Sequence, residues 1–144
     1  MNRRSAIKAL IGGAVALSGI LPFNALANIM GNLKAADAIN EITGGKHSAS
    51  DKLKFKTPKL AENGSQVPVT VDASALASVK SIFLVVHENI KPVAMRVDFD
   101  STDVVAFASF RVKMGKPTKV TAIVHTASGF VTASSNTKVT KGGC

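Results

Sequence analysis

The sequence predicts an all-β domain, an antiparallel sandwich of about seven strands preceded by a single helix. Three observations predict it. Apolar residues recur every three to four positions before residue 45, and alternate with polar ones after residue 52. The alternating segments return at intervals of roughly 8 to 12 residues, with Gly, Pro, Asn and Ser between them. No helix-length segment separates these strands, which excludes an alternating βαβ arrangement.

The first 27 residues are set aside before the fold is read. Arg3, Arg4 and Lys8 precede an apolar run over 9–21, and Ala25-Leu26-Ala27 supplies the small residues of a cleavage site. Basic, apolar and small-x-small segments in that order make a secretory signal, too short to span a bilayer. Asn2-Arg3-Arg4-Ser5-Ala6-Ile7-Lys8 resembles the twin-arginine export pattern, with Ala6 standing where that pattern has Phe. Twin-arginine export moves folded cargo, so a partner could be acquired before crossing. The expected location is the periplasm. No later segment is apolar for long enough to cross a membrane.

The helix is expected within 28–46, because Ile29, Leu33, Ala36, Ile39 and Ile42 share one face and Gly44-Gly45 supplies a stop. Residues 46–51 are polar and read as a linker. Strands are then expected over 52–56, 67–72, 79–87, 93–99, 104–112, 119–126 and 130–140. The segment 79–87 is almost continuously apolar, as a strand covered on both faces would be. Val93, Met95, Val97 and Phe99 point one way, with Ala94, Arg96 and Asp98 opposite. Seven short strands with this spacing are the pattern of an immunoglobulin-like sandwich, although neither a core Trp nor a cysteine pair is present. The sandwich is expected over 47–138, followed by a mobile tail over 139–144.

The formal net charge is +9, and it falls to +6 when the leader is removed with Arg3, Arg4 and Lys8. A basic surface suits acidic partners or small anions. Single-stranded nucleic acid would need a basic stripe interleaved with aromatics, and the chain has no Trp or Tyr. No nucleic-acid or membrane partner is expected.

The body of the domain offers no catalytic set and no metal site. His47, His87 and His125 stand far apart, with no pair at a metal-ligand spacing. Met30, Met95 and Met114 are isolated and suit packing. Asp98, Asp100 and Asp103 surround the turn Asp100-Ser101-Thr102-Asp103, which turn chemistry explains as well as calcium binding would. There is no glycine-rich phosphate loop and no nucleophile elbow.

The remaining candidate is the single cysteine, Cys144, at the end of Gly142-Gly143-Cys144. In an oxidising compartment cysteines normally come in pairs, and a leftover one points to an intermolecular bond or a reactive thiol. Gly142 and Gly143 impose little backbone preference and serve as the expected hinge. Five residues beyond Val139, at up to ~3.5 Å each, would let the thiol sweep roughly 15 to 18 Å. Such a thiol can enter the active sites of other proteins while carrying a group. The alternative is an exported immunoglobulin-like interaction module whose cysteine forms only an intermolecular disulfide.

The ending Lys138-Val139-Thr140-Lys141-Gly142-Gly143-Cys144 resembles the Gly-Gly-Cys-Gly terminus of the SoxY family, the sulfur-carrier subunits of thiosulfate oxidation. Ile42-Thr43-Gly44-Gly45, Leu60-Ala61-Glu62-Asn63-Gly64, Val67-Pro68-Val69-Thr70-Val71 and Val79-Lys80-Ser81-Ile82 are similar to that family as well. The resemblance implies a carrier rather than an enzyme, with no cofactor beyond sulfur intermediates bound covalently at Cys144. It implies a heterodimer with a SoxZ-like subunit. It also implies transient encounters with a c-type cytochrome that loads thiosulfate, a hydrolase that releases sulfate, and a sulfane dehydrogenase. The family usually has glycine after the cysteine, whereas this sequence stops at Cys144. If that is the true end, an α-carboxylate on the same residue as the sulfur would raise the thiol pKa, and Lys138 and Lys141 would offset it. The alternatives are a sequence trimmed after Cys144 and a relative with altered chemistry.

Overall fold

The computed structural model describes residues 33–101 and 103–140. The expected leader (1–27) and Gly142, Gly143 and Cys144 lie outside the described residues. Among the described residues one helix, α1 (Ala35–Thr43), precedes nine strands: β1 (Ser48–Ala49), β2 (Lys54–Lys56), β3 (Leu60–Ala61), β4 (Val67–Asp72), β5 (Val79–Val86), β6 (Val93–Asp98), β7 (Phe107–Val112), β8 (Thr118–Thr126) and β9 (Gly129–Val139). Among the described residues, no helix is long and apolar enough to cross a membrane.

The fold is an all-β sandwich. Seven antiparallel strands divide into a sheet ordered β2-β4-β7 and a ladder ordered β9-β8-β5-β6. The chain changes sheet between β4 and β5, between β6 and β7, and between β7 and β8, as Greek-key sandwiches do. Alternation places Val67, Val69 and Val71 of β4 against Ile82, Leu84 and Val86 of β5 and Val120, Ala122 and Val124 of β8. All nine are completely buried. Met114, also fully buried, closes one end of this core.

The intervening residues of β5 and β8 face the other way and are covered by α1. Ala35, Ala38 and Ile42 of the helix pack on Phe83, Val85, Val93 and Ile123. This second cluster explains why β5 is apolar on both faces. The helix is shorter than expected: Leu33 and Lys34 are not helical, and Lys34 leads into the first turn at φ −65° and ψ 156° without a side-chain cap. Leu33 still packs at the edge of the cluster, so its apolar spacing served packing rather than helix. The stop falls where it was expected. Gly44 takes a left-handed φ of 63°, and the Thr43 hydroxyl donates to the Ile39 carbonyl at 2.8 Å.

Two short strands appear where no strand was expected. β1 lies inside the segment read as a linker, and β3 follows Pro58; both pair in parallel with β9, at its two ends. They cover the outer edge of β9, which would otherwise offer a row of unpaired backbone groups. Val104 and Val105 were expected to begin β7 but precede it as an exposed bend, and the strand starts at Phe107.

Candidate functional site

Strand β9 leads toward the C-terminus, so its last residues fix where the tail leaves the domain. Thr137 is buried and pairs with Thr118 of β8, and its hydroxyl donates to the Thr57 hydroxyl at 3.2 Å. On the opposite edge Leu60 and Ala61 align with Lys138 and Val139. The Lys138 amide donates to the Lys59 carbonyl at 2.9 Å, and the Thr140 amide to the Ala61 carbonyl at 3.1 Å. The Thr140 hydroxyl donates to the carbonyls of Ala61 and Glu62 at 3.4 and 3.3 Å. The strand therefore extends through Val139, and Thr140 is bonded to the domain, two residues beyond the boundary expected at 138.

Three connections share this end of the sandwich with the exit of β9: residues 62–66 before β4, 87–92 after β5, and 113–117 before β8. They are knitted together by hydrogen bonds. The Glu88 amide donates to the Thr118 hydroxyl at 3.1 Å, and Asn89 Nδ2 donates to the Lys113 carbonyl at 2.7 Å. The Met114 amide donates to the Gly64 carbonyl at 2.7 Å. Between the second and third connections lies an open cleft of about 480 Å³, lined by Glu88, Ile90, Lys91, Lys113 and Lys116 among others. Ile90 is 96% exposed, an unusual position for a large aliphatic side chain. Lys116 Nζ lies 3.3 Å from Glu88 Oε2 in a solvent-exposed pair.

The histidines are not brought together. His47 contacts the Thr132 hydroxyl at 3.1 Å through Nδ1. His87 Nε2 lies 2.9 Å from the Thr121 hydroxyl, which in turn lies 2.9 Å from the Ser134 hydroxyl. Burial, with Lys119 nearby, holds His87 below the ordinary histidine range, although Glu88 pulls the other way. His125 stacks on Phe130 at 4.4 Å between ring centres, at the opposite end of the sheet. Its burial, and then Lys80 and Arg96, lower its pKa too. Among the described residues no three or more His, Cys, Asp or Glu side chains stand together in a group that could hold a metal ion. Asp98 is engaged with Arg96 at 2.9 Å, and the Asp103 amide donates to the Ser101 hydroxyl at 3.1 Å. Met95 and Met114 pack in or against the core, whereas Met30 lies outside the described residues. Sequence reasoning missed the cluster of Ile90, Lys91, Lys113 and Lys116, because they come from two connections joined only by folding.

A compact sandwich ending in a strand anchored up to its last bonded residue, with the sole cysteine four residues beyond, is the framework of a small carrier domain. Residues 39–144 match the family model described as sulfur oxidation protein SoxY, and the chain belongs to that family. Its fold is similar to the structure of the sulfur carrier protein SoxY from Chlorobium limicola f thiosulfatophilum. That similarity has a TM-score of 0.64 and 29% identity, covering 74% of this chain and 96% of that one. It is also similar to the superoxide reductase (neelaredoxin) from Ignicoccus hospitalis, with a TM-score of 0.52 and 23% identity, covering 60% of this chain and 79% of that one. A single-residue variant of that reductase gives a TM-score of 0.53 at 20% identity, over 83% of this chain and 99% of that one. The likeness to the reductases is one of fold alone. No curated protein sequence matches the chain.

Proposed function

We propose that this chain is a periplasmic sulfur carrier that holds thiosulfate-derived groups covalently on Cys144 while partner enzymes act on them. The observation that carries the reading is the family match, which runs through to Cys144, the only cysteine of the chain. In the loading step the Cys144 thiolate and thiosulfate join through a new S–S bond, giving a cysteine S-thiosulfonate. An electron pair is released in that step and passes to a c-type cytochrome. A hydrolase then adds water across the terminal S–S bond, releasing sulfate and two protons and leaving a persulfide on Cys144. A sulfane dehydrogenase oxidises the sulfur that remains. Catalysis resides in these partners, and the chain is their substrate rather than an enzyme.

The fold supports the physical requirements of this role. A carrier must present its group at a fixed exit while its body stays folded through repeated encounters. Bonds from Lys138 and Thr140 to Lys59, Ala61 and Glu62 fix that exit. The four residues that follow Thr140 can span at most about 14 Å, shorter than the reach inferred from the sequence, because Thr140 belongs to the domain. The twin-arginine pattern at Arg3-Arg4 supports export in the folded state, together with a SoxZ-like subunit as heterodimer.

The test compares the chain with its Cys144→Ser variant after incubation with thiosulfate and the oxidising cytochromes. Intact mass should rise by one thiosulfate-derived group in the first and stay unchanged in the second. An unchanged mass in both would contradict the reading.

A further inference from the structure

We propose that the end of the sandwich from which β9 exits is the docking face for the loading and processing enzymes. We further propose that these partners carry carboxylates around the mouth of the active site. This rests on the carrier reading and specifies its interface. The first argument is reach. An enzyme acting on Cys144 must bring its reacting atoms within about 14 Å of Thr140, the length four residues can span. Neighbouring strands stand about 4.8 Å apart. The connection after β5, two strands from β9, is therefore about 10 Å away and falls inside that radius. Glu88 bonds Thr118, the partner of Thr137, and Met114 bonds Gly64, two residues from the Glu62 that accepts from Thr140. Both walls of the cleft are thus tied to the exit by short chains of hydrogen bonds.

The second argument is charge. Lys59, Lys91, Lys113, Lys116 and Lys138 are all exposed around this end, against Glu62 and Glu88. The aspartates Asp98, Asp100 and Asp103 lie at the far end, where β6 finishes. A cationic face beside a tail that carries an anionic thiosulfonate would hold that tail back unless an acidic partner competed for the lysines. It also draws such a partner in by long-range attraction. The third is the apolar content. Leu60 and Ile90, 55% and 96% exposed, flank the exit on either side and give a partner two aliphatic contacts within a charged rim.

The experiment follows the loading of Cys144 by intact mass along two routes. Tetrathionate loads the thiol without any enzyme: the Cys144 thiolate attacks a central sulfur, forms the S-thiosulfonate and expels thiosulfate. The second route is thiosulfate with the oxidising cytochromes, measured across a range of NaCl concentrations. Three proteins are compared: the unaltered chain, Lys91→Glu/Lys113→Glu/Lys116→Glu, and Lys52→Glu/Lys54→Glu/Lys80→Glu, which makes the same change of charge at the far end. Tetrathionate should load all three to the same final extent, showing that each has an available thiol, and matching circular dichroism spectra and melting temperatures show that each is folded. The enzymatic kcat/KM should fall at least 10-fold, with a flattened salt dependence, only when the lysines near the exit are reversed. Equal enzymatic rates and salt slopes in all three overturn the docking face, as does an equal loss in both variants. Failure of the unaltered chain to load enzymatically contradicts the carrier reading itself.

Discussion

The amide of Thr140 donates to the carbonyl of Ala61 at 3.1 Å, which binds the end of β9 to a two-residue strand on its outer edge. Ala61 is buried in the inter-sheet core whereas Thr140 is exposed, so this contact ties the exit at the surface to the core. The tail of the carrier therefore begins at a fixed point. A body that frayed along β9 would present its cargo from a blurred one.

Ala61→Asp places a carboxylate in that buried position without a partner. Stability should fall by about 2 to 4 kcal/mol. In hydrogen exchange the amides of Lys138 and Thr140 should lose protection before those in the centre of β8. Unchanged protection at both amides would contradict the anchoring role of β3.

Leu84 is fully buried between the two sheets. Leu84→Ala should lower unfolding free energy by about 2 to 5 kcal/mol in a denaturant titration, the range for a cavity in a well-packed core. A loss below about 1 kcal/mol would argue against a sandwich core at this position.

Ala38, on the sheet-facing side of α1, is fully buried against the cluster that includes Phe83 and Ile123. Ala38→Asp should detach the helix at a cost of about 2 to 4 kcal/mol. The strand signal in circular dichroism should survive, because the inter-sheet core does not depend on α1. Complete loss of strand signal would show that the helix is required for the sandwich.

His87 and His125 both have folded pKa values below the ordinary one, burial being the main cause in each. The unfolded chain then binds more protons than the folded one once pH drops below about 6.5. Their contribution to stability is complete above that pH and is lost as pH falls toward the folded pKa values. The melting temperature should therefore decline between pH 7 and 5, and His87→Gln with His125→Gln should reduce the slope. An unchanged slope would place the acid sensitivity in the carboxylates instead.

The sandwich was legible because its strands are long enough for alternation to register, as in Val67-Pro68-Val69-Thr70-Val71. The strands β1 and β3 were not, since two residues have no period and Ser48 and Leu60 become strand only by pairing with Val131 and Lys138. The helix start was misplaced because Leu33 contributes to packing without joining α1. Cys144 stood out by its rarity. The lysines around its exit did not, since Lys91 and Lys113 are far apart in sequence and line one cleft after folding.

The most direct measurement is mass spectrometry of the C-terminal peptide from the chain recovered out of cells oxidising thiosulfate, with free thiols blocked at lysis. The account predicts thiosulfonate and persulfide forms on Cys144 that turn over when thiosulfate is withdrawn. A Cys144 found only as a lasting disulfide to one protein, unresponsive to thiosulfate, would contradict it and favour an interaction module.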